Sequence, residues 1–361
     1  MNRDLTFDIL KGIGIILMVV GHSGAPDWMH DTIYSFHMPL FFIASGWFFS
    51  EKCLENKKVY TVKKLKNLYY PYLKWSILFL LLHNVFFYLG VINGSYGYRG
   101  AVEKWYHASD MASHFFNIIF RMAGYDALVG TFWFMRALFV GSLVLCFISW
   151  LFSIITRQNG QRCVAYTAVV CCLVGGAISY YEVVIPLIPQ GGFREMMAVY
   201  FMGLGFLMRR NNSWCSMWVL YLSMAIIVFA LVLHPVVFRS KVSFIEWMII
   251  IVTGFAGFNI TYHLSCQISS KWNKGKKMLV YIGKRTFYIM TFHFLCFKPV
   301  SLLKAWLYDM DWQVVGYHPV IPPVDDYYFW IVYAVFALSL SLLLERLINI
   351  VPSPLVLLKR R

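Results

Sequence analysis

The feature that most constrains this chain is a succession of apolar runs, each roughly 17 to 25 residues long and each followed by a short polar stretch. That is the length a helix needs to cross the hydrocarbon core of a bilayer. A hydropathy pass places ten of them, at 7–25, 33–50, 70–92, 130–155, 163–180, 194–209, 214–234, 244–266, 279–298 and 327–350. With 60% of the 361 residues hydrophobic, 19% aromatic and only 14% charged, so much apolar surface cannot be hidden inside a water-soluble domain. The expected fold is all-α: one polytopic membrane helix bundle of about ten transmembrane helices spanning 1–361, with both termini cytoplasmic. The connections leave no room for a soluble domain, and no internal repeat is visible.

A net charge of +15 first suggests nucleic acid, but the Lys and Arg residues sit between the apolar runs, where they set membrane orientation. The 51–67 stretch carries Lys52, Lys57, Lys58, Lys63, Lys64 and Lys66. Arg157 with Arg162, Arg209 with Arg210, and Lys271 to Lys277 mark every second later connection, and the tail ends in Lys359, Arg360 and Arg361. With ten spans all these clusters share one side, which the positive-inside rule makes cytoplasmic. There they meet anionic lipid headgroups, and no nucleic-acid partner is expected. Arg3 and the run after it resemble a signal peptide, yet Asp4, Asp8 and Lys11 interrupt it and no small-residue cleavage site follows, so it reads as a retained first helix. The eight cysteines lie mostly within apolar runs without a C-x-x-C pair, which makes them small core residues rather than a disulfide framework or zinc site. On the other side the longest connections, 93–130 and 305–326, are rich in Gly, Tyr, Trp, His, Asp and Pro. They can cap an outward-facing site or simply cover the bundle.

Polar residues inside a span are costly and gather at bundle interiors or water-filled cavities. Lys11 and His22 stand eleven positions apart on the first span. At about 100° per residue they return to one helix face, separated by roughly 16 Å of rise. That is comparable to an extended pantetheine arm, so Lys11 can hold a coenzyme A phosphate while a thioester lies at His22. Snorkelling of Lys11 and a hydrogen-bonded core role for His22 explain the same pattern. His37, entering the second span, and His293, well along the ninth, would add two imidazoles at comparable depth. Imidazole titrates near neutrality and suits the base that takes a hydroxyl proton during acyl transfer. Three histidines can also bind zinc, although this spacing is no local ligand motif and no metal is expected. Arg136, in Thr131-Phe132-Trp133-Phe134-Met135-Arg136, is an expensive guanidinium within the fourth span, with Asp126 a candidate compensating acid. It can hold an anionic substrate group or an oxyanion, or belong to a structural ion pair. Glu195, beside Arg194, reads as interface charge, with an internal pair or a sugar contact as alternatives. Trp133, Arg136 and Glu195 are thus the candidates for substrate or oxyanion contact. There is no G-x-S-x-G elbow, Walker loop or H-E-x-x-H.

The opening segment, Asp8-Ile9-Leu10-Lys11-Gly12-Ile13-Gly14-Ile15-Ile16-Leu17 through Gly21-His22, resembles the start of the acyltransferase 3 family of bacterial membrane acyltransferases. Phe36-His37-Met38-Pro39-Leu40-Phe41-Phe42-Ile43-Ala44-Ser45-Gly46 is similar to that family's second-span signature. Lys64-Leu65-Lys66 with Tyr70-Pro71-Tyr72 resembles its basic entry to the third span, and Trp133-Phe134 with Ala137-Leu138-Phe139 its fourth-span motif. Gly283-Lys284-Arg285-Thr286, followed by Met290-Thr291-Phe292-His293-Phe294, is similar to its late histidine-bearing segment. The resemblance implies a ten-span fold in the bacterial inner membrane and O-acylation of an envelope polysaccharide, glycolipid or small acceptor. Acyl-CoA, acetyl-CoA first, is the implied donor.

It also implies that His22 is the catalytic histidine and that Lys11 fills the basic position, usually Arg, of a basic-x10-His pattern. Lysine keeps the charge but loses the bidentate fork of arginine. Met290 stands where many members carry Tyr. The expected machinery is therefore Lys11, with Lys63, Lys64 and Lys66, for the donor phosphates, and His22, with His37 and His293, for proton transfer. General-base catalysis and an acyl-histidine intermediate both remain open. A transporter or exporter of a polysaccharide or small polar substrate is the rival reading, because intramembrane Lys, His and Arg also line transport pathways. An assembly scaffold is a third.

Overall fold

Among the described residues, nine of the ten apolar runs each carry one helix, and the run at 279–298 carries two. In chain order the helices are α1 (Leu5–His22), α2 (Asp27–Trp47), α3 (Lys52–Glu55), α4 (Lys57–Lys64), α5 (Tyr70–Tyr88), α6 (Ala108–Arg121), α7 (Trp133–Thr156), α8 (Gly160–Tyr181), α9 (Phe193–Met208), α10 (Met217–Leu233), α11 (Phe244–Lys271), α12 (Asn273–Gly283), α13 (Thr286–Leu307) and α14 (Phe329–Ile350). The computed structural model describes residues 5–98, 101–186, 188–233, 235–323 and 328–350. Arg3, Asp4, Asp326, Lys359, Arg360 and Arg361 lie outside them. Among the described residues the only strands are the two-residue β1 (Gly97–Tyr98) and β2 (Ala101–Val102), paired antiparallel. Six helices, α1, α7 with its leading turn, α8, α11, α13 and α14, are long and apolar enough to cross a bilayer.

Two apolar clusters form the interior. One is built chiefly from α2, α7, α8, α9 and α11, around Phe42, Val199, Phe201 and Phe258. The other is built from α5, α13 and α14, around Phe79, Phe132, Phe297 and Tyr333. α1 joins them, giving Phe7 and Leu10 to the first and Ile15, Met18 and Val19 to the second. α2 and α9 cross so closely that a Cβ on Gly46 would overlap the Met202 carbonyl, and one on Gly205 the Ile43 carbonyl. Only glycine fits both positions. Gly205→Val is therefore expected to lower stability by about 1–3 kcal/mol or more, read as a lower melting temperature in detergent.

The basic connections converge on one end. Arg210 Nη2 pairs with Glu51 Oε1, Arg209 Nη1 donates to Trp47 O at 3.2 Å, and the Glu51 side chain lies against Gly160. α12, with Lys274, Lys276 and Lys277, packs on the start of α1, where Gly283 meets the Asp8 carbonyl. This is the arrangement the spacing of Lys and Arg clusters predicts for one membrane face. At the opposite end the two longest connections meet: Asn93 Nδ2 donates to Gln313 O at 2.8 Å, Ser95 Oγ to Gln313 Oε1 at 2.7 Å, and Tyr96 packs on Tyr317 at 4.4 Å.

Two sequence expectations change. The run at 279–298 is not one helix but breaks at Lys284–Arg285 between α12 and α13, where Arg285 Nε reaches Glu345 Oε2 of α14 at 2.9 Å. The 93–130 connection does not stay outside. Its helix α6 packs back along α5, and Tyr72 and Tyr69 hydroxyls donate to the Ile118 and Ile119 carbonyls at 3.3 and 2.7 Å. Those carbonyls belong to the last turn of α6, where no helical N–H remains to pair with them. Phe116 and Phe120 stay exposed on its other face, which suits contact with lipid.

Candidate active site

Where the two apolar clusters face each other lies a cavity of about 930 Å³. Its wall includes Lys11 and Asn67 toward the basic end, His22, Tyr34, His37, Met290 and Arg194 around the end of α1, and Tyr98, Arg239 and His318 beyond them. Lys11 and His22 thus lie on one stripe of α1 and open onto one space. Lys11 Nζ pairs with Asp8 Oδ1 at 3.0 Å, one helical turn back, which holds the ammonium at the wall.

His22 ends α1, and its Nδ1 lies 2.7 Å from the Tyr34 hydroxyl. Tyr34 is in turn stacked on His30 at 4.1 Å and set edge-on to His37 at 4.9 Å. When Nδ1–H donates to Tyr34 Oη, Nε2 keeps a free lone pair able to accept a proton. The other two histidines have their tautomers fixed by carbonyls, which only accept. His37 Nδ1–H donates to Ile33 O at 2.8 Å, and His293 Nδ1–H donates to Met290 O at 2.9 Å. Each neutral ring therefore presents an unprotonated Nε2. His293 Nε2 is buried without a partner, and its ring lies 5.4 Å from that of His22. His37 lines the cavity; His293 stands behind His22 in the second layer. Among the described residues no group of three or more potential ligands forms a metal cluster. Tyr34→Phe removes the hydroxyl that orients His22, so kcat is expected to fall roughly ten- to a hundredfold with little change in KM, read by initial rates.

The remaining sequence candidates are placed elsewhere. Arg136 pairs not with Asp126 but with Glu195, Nε to Oε1 at 2.7 Å, and both side chains are almost fully buried. Glu195 is therefore an internal partner rather than interface charge. Neither lines the cavity. Asp126 instead accepts from His83 Nδ1–H at 2.6 Å and caps the turn at Leu128. Trp133 does line the cavity, beneath the guanidinium of Arg194 at 3.8 Å. Lys63 and Lys66 are exposed on the basic end, Lys66 next in sequence to the wall residue Asn67. Lys64 turns inward over Tyr60, and burial lowers its pKa to about 8. Sequence reading missed Tyr34, Arg194 and His318. His318 is a loop residue whose Nδ1 is buried without a partner; burial, then the nearby Lys298 and His293, push its pKa down to about 3, so it is neutral at physiological pH. Lys298 Nζ steadies that loop by donating to Val315 O and Tyr317 O at 2.8 and 2.7 Å.

A family model described as an acyltransferase domain matches residues 4–346. The chain belongs to the acyltransferase 3 family. The match covers nearly the whole chain, including the Lys11 and His22 stripe that opens onto the cavity. Among curated relatives, the nodulation protein NolL of Sinorhizobium fredii is 38% identical over 89 residues, 21% of this chain and 24% of that protein. NolL of Mesorhizobium japonicum is 37% identical over 89 residues, with the same shares. The chain thus spans about a quarter of the length of these relatives. No solved structure matches.

Proposed function

We propose that the chain is an O-acyltransferase of the bacterial inner membrane that takes an acyl group, acetyl first, from cytoplasmic acyl-CoA and delivers it to a hydroxyl of a carbohydrate or glycolipid at the other face. The observation that carries this reading is one continuous cavity lined by Lys11 at the basic end, by His22 at the end of α1, and by Tyr98 of β1 and the loop residue His318 beyond it. The rise between Lys11 and His22, roughly 16 Å, matches a phosphate at one and a thioester at the other. The cytoplasmic face is the basic end by the positive-inside rule, and the exposed Lys63 and Lys66 raise the local concentration of the polyanionic donor there.

In the direct route the acceptor oxygen attacks the thioester carbonyl while His22 Nε2 takes the hydroxyl proton. The C–S bond then breaks, the proton passes to the leaving thiolate, and ester and free coenzyme A result. In the covalent route the same nitrogen carries the acyl group between two such steps. His37 orients the acceptor from the cavity wall, and His293 supports the His22 ring from behind.

Replacing the Lys11 ammonium tests donor binding. Lys11→Met is expected to raise KM for acetyl-CoA about tenfold, the worth of one charge-assisted contact. KM for acetyl-pantetheine, which has no nucleotide phosphates, should stay unchanged. Equal effects on both would contradict the assignment. An exporter, by contrast, would move glycan without consuming any thioester.

A further inference from the structure

The cavity wall also holds Arg194, a cation that donor binding and proton transfer leave unused. Trp47 packs on Phe7 at 4.9 Å and accepts from Arg209, so α9 ends level with the start of α1. Fifteen residues of helical rise, roughly 22 Å, bring Arg194 back to the level at which α1 finishes in His22. The two are linked through one aromatic layer. Phe238 N donates to Tyr34 O at 3.2 Å, the Phe238 ring stacks on Trp133 at 6.2 Å, and Arg194 lies over Trp133 at 3.8 Å.

Among the described residues the charge there does not balance. Arg136 and Arg194 share one carboxylate, Glu195, and Arg136 holds it directly at 2.7 Å. Arg194 Nη1 has only the neutral Gln190 Oε1, at 2.7 Å, and its Nε is buried without a partner. The other cations of the wall are neutralised, Lys11 by Asp8 at 3.0 Å and Arg239 by Glu246 at 2.6 Å. The carboxylate in the wall, Asp27, stands at the exposed start of α2. A guanidinium without a counter-ion inside a bundle is expensive, and such charges mark sites where a ligand completes them.

The backbone beside it is also unusual. Gln190, Gly191 and Gly192 take three successive positive φ values, 64°, 86° and 88°. A left-handed glutamine is strained, and such strain concentrates at ligand clamps. The Gln190 side-chain oxygen Oε1 sits between Arg194 Nη1 and Arg136 Nη2, at 2.7 and 3.3 Å, leaving the side-chain amide N–H groups to donate.

We propose that Arg194, with Gln190 and the Trp133 face, forms an anion subsite on the acceptor side of the cavity that receives a carboxylate or phosphate of the acyl acceptor. This rests on the acyltransferase reading and narrows the acceptor to an acidic glycan or a phosphate-linked one. A planar fork on an aromatic face suits paired anionic oxygens.

The test is equilibrium binding by the purified full-length protein of three probes: an oligosaccharide ending in glucuronic acid, its carboxyl-reduced counterpart, and that neutral sugar carried on polyprenyl diphosphate. Wild type is expected to prefer one anionic probe over the neutral sugar by roughly ten- to a hundredfold, the range for a charge-assisted hydrogen bond. A preference for glucuronate identifies a sugar carboxylate; one for the diphosphate identifies the lipid carrier. Arg194→Gln should abolish the preference and Arg194→Lys reduce it, with coenzyme A affinity unchanged in both. If Arg194→Gln does not fold, Arg194→Lys carries the comparison. Equal binding of all three probes, binding of none, a preference that survives in either variant, or a loss of coenzyme A affinity instead would overturn the subsite. Labelled acyl transfer to the neutral glycan, measured in parallel, reports on the acyltransferase reading by itself.

Discussion

His22→Ala is expected to lower kcat for acyl transfer by about 10²–10⁴-fold, the contribution of a positioned base or nucleophile, with the melting temperature and KM for the donor nearly unchanged. The half-buried imidazole at the end of α1 touches Tyr34 and Phe294 and carries no tertiary ion pair, so its removal leaves the helix packing intact. His293→Ala should cost less in rate and more in stability, because its ring is fully buried behind His22. A His22→Ala enzyme with full activity would remove this histidine from the chemistry.

The second large effect is on folding. Glu195→Leu leaves the Arg136 guanidinium buried without its carboxylate at 2% exposure, which is expected to cost about 3–5 kcal/mol and to lower the recovery of monodisperse protein from the membrane. Adding Arg136→Leu in the same chain should restore most of the loss, since replacing both partners removes the buried charge as well as the bond. Size-exclusion profiles and melting curves of the two variants give the comparison. If the double variant is no more stable than the single one, the pair does more than satisfy itself.

The helices were legible because each apolar run has bilayer length and each basic cluster sits between two of them. Lys11 and His22 were legible for a related reason: both belong to one helix, and helical pitch alone sets them on one stripe. Contacts that join distant segments were not. The local sequence offers Arg136 an acid in Asp126, ten positions away, whereas its partner Glu195 is 59 positions away on α9. Asp126 is bound by His83 on a third helix. Nothing in the sequence around Tyr34 marks it, because its contact with His22 arises only from α1 and α2 packing side by side. α6 was hidden by its length. Its 14 residues fall short of a span, and its exposed Phe115, Phe116 and Phe120 with buried Ile118 carry a helical apolar pattern that a hydropathy window averages away. The break before α13 had a visible signal in Gly283-Lys284-Arg285, which places two charges within a supposed span.

The measurement that bears most directly on the central claim uses proteoliposomes of one orientation, with labelled acetyl-CoA on one side and the glycan acceptor on the other. Labelled glycan is expected only when the donor faces the basic end, and none with His22→Ala. Glycan that crosses unlabelled, or labelling that persists in His22→Ala, would contradict it.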